Sequence, residues 1–310
     1  MTGFLAPPGS PSAVGPAGSA KVVVRSAAAS VVLGAGGGWI ADDQAGTLRP
    51  FDPGSGTLSA RAVHVGGAPI SIASGYGKLW VADISENLLY AVNLANHKVT
   101  GSPISVSQGP VSVATGDGGV WVASLLSGTV GLIDPKTEQV KASVALPDGA
   151  VRIALGDGYV WVTGQTDTLT RIDPRPSGVT LRWRETKVGQ GPIGVAVGGG
   201  AVWVANAESG TVSEVDPRTM SVVGGFRVPS GSSSTSSSGS DPQTLSVWQG
   251  RVWVGLGSRP ALLAFDPRSR TESGKAVQLP GVARDLYVSD DGGLWATTAN
   301  PGTVLQISAG

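Results

Sequence analysis

One eight-residue stretch, GGAVWVAN at residues 199–206, recurs along the chain and constrains it more than any other feature. Near-copies begin at Gly36 (GGGWIA), Gly77 (GKLWVA), Gly118 (GGVWVA), Gly158 (GYVWVT), Gly250 (GRVWVG) and Gly292 (GGLWAT). Their tryptophans, Trp39, Trp80, Trp121, Trp161, Trp203, Trp253 and Trp295, lie 41, 41, 40, 42, 50 and 42 residues apart. A large apolar side chain repeated at near-constant spacing means one supersecondary unit copied along the chain, each copy needing its neighbours to cover its faces.

Residues 69–106 show the unit. Four runs, 69–73, 78–83, 88–94 and 98–106, have strand length and are separated by Gly, Asn and Ser turns that leave no room for a helix. The second run, Leu79-Trp80-Val81-Ala82, does not alternate apolar with polar, so both of its faces are covered. The fourth is more polar and belongs at an outer edge. An all-β chain with four short strands per period of roughly 40 residues is a β-propeller. The last repeat has runs at 284–288, 293–297 and 303–307 and stops one strand short, whereas KVVVR at 21–25 precedes the first repeat unassigned. Placed beside 303–307, it completes a seventh blade and removes an unpaired edge. The expectation is a seven-bladed propeller over residues 21–310, behind a flexible Pro/Gly/Ala-rich tether at 1–20.

Third strands usually end in Asp-Pro, at Asp52, Asp134, Asp173, Asp216 and Asp266. An Asp caps the backbone of a turn and the Pro presets φ at its second position, so these carboxylates read as turn residues. Two segments break the period. Residues 230–240, nearly all Ser and Gly, account for the longest spacing and are expected to form a disordered loop. Residues 175–187 lengthen the outer hairpin of blade 4 and carry Trp183 between Arg182 and Arg184, either as a contact site or as packing on that blade.

Charged residues make up 14% of the chain, against a typical figure of about 25%. The formal net charge is zero, so attraction to nucleic acid or anionic membrane is not implied. With no Cys there is no disulfide framework, thiolate zinc site or Cys nucleophile. No apolar run approaches the roughly 18 residues of a membrane span, and the N-terminus has neither the basic region nor the apolar core of a signal peptide. Two accounts fit, a cytosolic protein with a flexible start or an extracytoplasmic domain, secreted or membrane-tethered; low charge, Ser/Thr/Gly richness and the missing Cys favour the second.

Residues 188–223, VGQGPIGVAVGGGAVWVANAESGTVSEVDPRTMSVV, strongly resemble YVTN-family propeller repeats. They are also similar to the repeats of NHL and virginiamycin B lyase-like propellers, and the resemblance extends over residues 21–308. It implies a seven-bladed ring of a kind often found outside the cytoplasm, including as sensor domains of membrane-bound bacterial Ser/Thr kinases. The implied function is non-enzymatic recognition of a small molecule, cell-wall glycan, peptide or protein at the channel face. The lyase resemblance would instead require a base and a histidine near the channel, with a metal-binding acidic group. The chain has only His64 and His97, expected on the outer strand of blade 1 and in the outer hairpin of blade 2. A structural surface or assembly protein is the third possibility. No catalytic residue, metal or cofactor is assigned.

The remaining candidates lie around the channel mouth, where propeller sites usually sit, a fold-level analogy. Aligning first strands on their tryptophans puts Ser30, Ser71, Ser112, Arg152, Gly194 and Thr244 in one ring, and one extra turn residue in blade 7 adds Asp285. Small residues suit converging strands. An unpaired charge cannot sit between packed blades, so Arg152 and Asp285 are expected to face the channel, paired with each other or contacting a ligand. The loops between second and third strands add Asp42 and Asp43 in blade 1, and Asp83, Glu86 and Asn87 in blade 2. Asp167 in blade 4, Asn206 and Glu208 in blade 5, and Arg259 in blade 6 complete the candidate ligand-binding set.

Overall fold

The computed structural model describes residues 18–308 apart from 27, 35–36, 117, 177, 179, 230–240 and 301. Most of the expected N-terminal tether (residues 1–17) and the Ser/Gly loop at 230–240 therefore lie outside the described residues. All regular structure among the described residues is antiparallel sheet, in seven blades. Blade 5 shows the pattern, with Pro192–Gly198 innermost, then Ala201–Asn206, Thr211–Val215 and Val222–Arg227 at the rim. Blade 2 departs from it: the outer strand expected at 98–106 is split into Lys98–Val99 and Ile104–Ser105, both pairing with Leu88–Asn93. Gly101, at φ +57°, turns the chain between them, and Pro103 has no N–H for the ladder.

The ring closes through its ends. Ser19–Arg25 pairs antiparallel with Thr303–Ser308, Lys21 opposite Gln306 and Arg25 opposite Thr303, as the outer strand of blade 7. The strand starts at Ser19 because Ser19 and Ala20 continue the pairing to Ser308 and Ile307. Val24 is buried, and Ala20 and Val22 pack on the cluster that contains Trp253, Leu262, Leu305 and Ile307.

Packing between blades explains the repeated tryptophans. Trp80 packs with Val113, Val120 and Val122 of blade 3, and Trp121 with Ile153, Val160 and Val162 of blade 4. Trp203 packs with Leu245, Val252 and Val254 of blade 6, and Trp295 with Val31, Leu33 and Ile40 of blade 1. Each indole thus fills the gap to the following blade, and Trp295 carries the series across the seam between the chain ends. The indole N–H groups of Trp80, Trp161 and Trp203 donate to the carbonyls of Gly75, Gly156 and Gly198, at 3.1, 3.1 and 3.3 Å. Glycine is needed at those carbonyls because a Cβ would come within 2.6, 2.6 and 2.8 Å of Thr115, Val197 and Val247 on the next blade.

The Asp-Pro turns form as the sequence reading expects. Asp134 accepts the N–H groups of Lys136 and Thr137 at 2.8 and 3.1 Å, and Asp216 and Asp266 repeat the arrangement. These backbone donors hold all three carboxyls below the ordinary carboxylate range.

Candidate functional site at the channel mouth

A bulge aims the ring residues. In blades 2, 3, 5, 6 and 7 the first strand slips register at one residue: Ile70, Val111, Ile193, Gln243 and Arg284. Blades 1 and 4 reproduce the geometry, with the N–H groups of Ala29 and Val151 donating to the Ala41 and Thr163 carbonyls, both at 2.9 Å. A bulge places two consecutive residues opposite one and re-aims the side chain that follows. The residues so placed are Ser30, Ser71, Ser112, Arg152, Gly194, Thr244 and Asp285, and all line a central cavity of about 280 Å³.

Most of this ring serves convergence of the strands. Ser71 and Ser112 accept the N–H of Val113 and Ile153 on the following blade, each at 3.1 Å. At Gly194 a Cβ would lie 3.1 Å from the Gln243 carbonyl oxygen and 3.2 Å from the Thr244 Cα, so a larger residue would push blades 5 and 6 apart.

Arg152 and Asp285 differ in kind. They come from blades 4 and 7, and their nearest charged atoms are 3.8 Å apart. Their side chains remain 29% and 21% exposed, both toward the cavity they line. Ser30 Oγ donates to Asp285 Oδ2 at 3.1 Å, and the Leu286 N–H donates to Oδ1 at 3.1 Å. Enclosure among seven converging strands raises the Asp285 pKa above the carboxylate range, opposed by the Arg152 charge and by these donors. The modest exposed area faces only the narrow channel, so enclosure outweighs it. At 3.8 Å the pair attracts without a close hydrogen bond. Thr115 and Tyr287 also line the cavity, Thr115 Oγ1 donating to the Ser74 carbonyl at 2.6 Å and the Tyr287 hydroxyl to the Leu33 carbonyl at 2.9 Å.

None of the loop candidates lines this cavity. Asp42 caps its own turn through the N–H groups of Gln44 and Ala45, and Asp43 pairs with Arg284 at 3.3 Å. Asp83 is fully buried and accepts from the Ala68 N–H, the Glu86 N–H and Ser85 Oγ. Glu86 receives the Tyr90 hydroxyl, and the Asn87 side chain receives the Gly109 N–H. Asp167 is ion-paired with Lys187. Asn206 is buried and donates to Thr211 and Ser213. Arg259 donates to the Pro229 carbonyl, and Glu208 stands exposed beside Gly191.

Asp148 organises the blade 4 rim without having been singled out in the sequence. It accepts from the hydroxyls of Thr166 and Thr168 and from the N–H groups of Thr166 and Asp167. Burial pushes its pKa up, but these donors win and hold it below the ordinary range. Nothing in the local Pro-Asp-Gly sequence distinguishes it from an ordinary turn.

The histidines stand away from the channel. His64 is exposed on the outer strand of blade 1, and His97 lies edge-on to Trp39 at 4.7 Å. Trp183, half-buried on the outer strand of blade 4, packs on the cluster between blades 3 and 4.

These features define a seven-bladed propeller with a charged pair in a small-residue channel. No protein-family model and no curated protein matches the chain. Among solved structures, a streptogramin B lyase is similar with a TM-score of 0.76 at 15% identity, covering 94% of this chain and 98% of that one. Virginiamycin B lyase from Staphylococcus aureus aligns with a TM-score of 0.72 at 13% identity, over 90% and 94% of the two chains. The WD40 repeats of RRP9 align with 0.79 at 12%, over 94% and 98%. The fold is therefore that of the lyase-like seven-bladed propellers, and a WD40 ring overlays it equally well. Fold alone does not choose among their functions.

Proposed function

We propose that this propeller is a recognition module that binds a small polar ligand at the channel mouth without transforming it. In this reading it acts outside the cytoplasm, secreted or membrane-tethered, in the manner of a sensor ectodomain such as that of a receptor Ser/Thr kinase. The observation that carries the reading is the Arg152–Asp285 pair, whose members are the only charged residues lining the cavity among the described residues. In a constriction of low effective dielectric, a charged or strongly polar ligand group feels these two residues more than any rim carboxylate. The cavity, about 280 Å³, lies near the lower end of ligand pockets, which run from about 300 to 1,000 Å³. That size favours a single sugar unit or the end group of a glycan or peptide. A lyase-like reading is less well supported, because neither histidine lines the channel.

The test is a thermal-shift screen against small glycans and short peptides, run on the wild type and on Arg152→Gln/Asp285→Asn. The double change is used because removing one partner strands the other as a buried charge. A ligand at 100 times its Kd adds about 2.7 kcal/mol of stability, and that gain is expected to disappear in the double variant. A ligand that stabilises both proteins equally would exclude the channel, and a converted product in the incubation would replace recognition with catalysis.

A further inference from the structure

We propose a second binding site, separate from the channel, on the flank of blade 4: a groove that takes a small ligand through a compact oxyanion group. The groove has a volume of about 290 Å³ and is lined by Tyr159, Arg171, Asp173, Arg182, Trp183 and Arg184.

Strand pairing sets Arg171 directly opposite Arg184, and like charges facing each other across a ladder are unfavourable without a counter-charge. Arg171 is held in place rather than turned away. It stacks over Tyr159 at 4.4 Å and donates to the carbonyls of Pro217 and Arg218 on blade 5, at 2.6 and 3.3 Å. The one carboxylate in the groove, Asp173, is already engaged by Arg175 through two contacts of 2.9 and 3.2 Å. Arg182 and Arg184 are exposed and form no ion pair or side-chain hydrogen bond among the described residues. Three guanidinium groups line the groove beside one carboxylate that Arg175 already engages, which concentrates positive charge on a chain whose formal net charge is zero.

Long arginine stems also cover apolar surface on many proteins. Covering the Tyr159 ring takes Arg171 alone and does not require two guanidinium groups face to face. The planar donor fork of arginine matches a carboxylate, sulfate or phosphate bidentately, which an ammonium does not. The size of the groove suits one acid-bearing ring better than a long polyanion, and a formal net charge of zero adds no general attraction for one.

The experiment is isothermal titration at low ionic strength with glucuronate, galactose 6-sulfate and glucose 6-phosphate, which separate the three oxyanion sources, and with glucose as the neutral control. At least one anionic sugar is expected to bind and glucose is not. Arg182→Gln/Arg184→Gln is expected to raise the Kd about tenfold or more, with Arg182→Lys/Arg184→Lys in between, because the lysines keep charge but lose the fork. Arg152→Gln/Asp285→Asn should leave this binding unchanged, which separates the groove from the channel. Because Arg184 opposes Arg171, Arg184→Gln should leave the Tm unchanged or raise it. The proposal is overturned if none of the anionic sugars binds, if glucose binds equally, or if the arginine substitutions leave affinity intact. Tighter binding of duplex DNA through the same arginines, or a Tm that falls in Arg184→Gln, would also overturn it.

Discussion

Two tryptophans in equivalent positions should respond differently to the same substitution. Trp203 is buried against Leu245, Val252 and Val254 of the next blade, with Phe226 at 6.2 Å, and its Nε1–H donates to the Gly198 carbonyl at 3.3 Å. Trp121 is equally buried in its own interblade cluster, but its Nε1 has no hydrogen-bond partner. Truncating either to Ala should cost about 3–5 kcal/mol, as large-to-small core changes do. The Phe variants separate the two sites. Trp203→Phe loses the hydrogen bond to the half-buried Gly198 carbonyl, a net loss of about 0.5–1.5 kcal/mol, whereas Trp121→Phe removes an indole N–H that is buried and unsatisfied. Trp203→Phe should therefore be the less stable of the two by roughly 1 kcal/mol or more. Urea unfolding followed by circular dichroism reads this directly. In thermal scans each kcal/mol corresponds to about 2–4 °C. Equal losses in the two Phe variants would refute the role given to the indole hydrogen bond, and Ala variants within about 1 kcal/mol of wild type would refute the packing role.

Two further perturbations address closure and charge. Deleting residues 1–26 removes the strand paired with Thr303–Ser308 and should lower the Tm of the whole ring, while deleting 1–18 spares the strand and should leave it unchanged; equal Tm values for the two truncations would contradict closure by Ser19–Arg25. The Asp285 pKa is raised by burial above the ordinary 3.8, so the folded state holds the proton more tightly than the unfolded chain and stability falls as pH rises from about 4 through the folded value. Asp285→Asn should remove that decline. Asp134, lowered by the Thr137 and Lys136 N–H groups, acts with the opposite sign: its contribution is present above the ordinary carboxylate pKa and is lost on acidification. Denaturant titrations at a series of pH values measure both, and a profile unchanged by Asp285→Asn would exclude the enclosed carboxyl as its source.

The blade count was legible because each tryptophan performs the same task, filling the gap to the next blade, so its spacing is the blade spacing. The channel ring was legible for a related reason. The bulge recurs at one offset from the tryptophan in blades 1 to 6, so simple alignment brings Ser30 and Arg152 to the same level, and one extra turn residue in blade 7 brings Asp285 there too. The rim was not legible in this way. Asp83 and Asn206 read as loop candidates for ligand contact, but short polar side chains bond first to nearby backbone and hydroxyl groups, and here they do so while buried. Asp148 escaped notice because its partners at Thr166 and Thr168 lie about a strand-pair away in sequence, a proximity only the fold creates. The split outer strand of blade 2 turned on Gly101 and Pro103, whose effect on the ladder depends on which strand lies beside them.

The role of the channel is tested most directly by nitrogen-15 NMR of the arginine side chains, with the Arg152 Nε–Hε signal assigned by its absence in Arg152→Gln. Titration of the wild type with the strongest ligand from the glycan and peptide screen should shift that signal in proportion to occupancy, and should leave the signals of Arg182 and Arg184 on the outer groove unmoved. A ligand that saturates the protein while the Arg152 signal stays fixed would show that the channel is a sealed axis and that recognition occurs elsewhere on the ring.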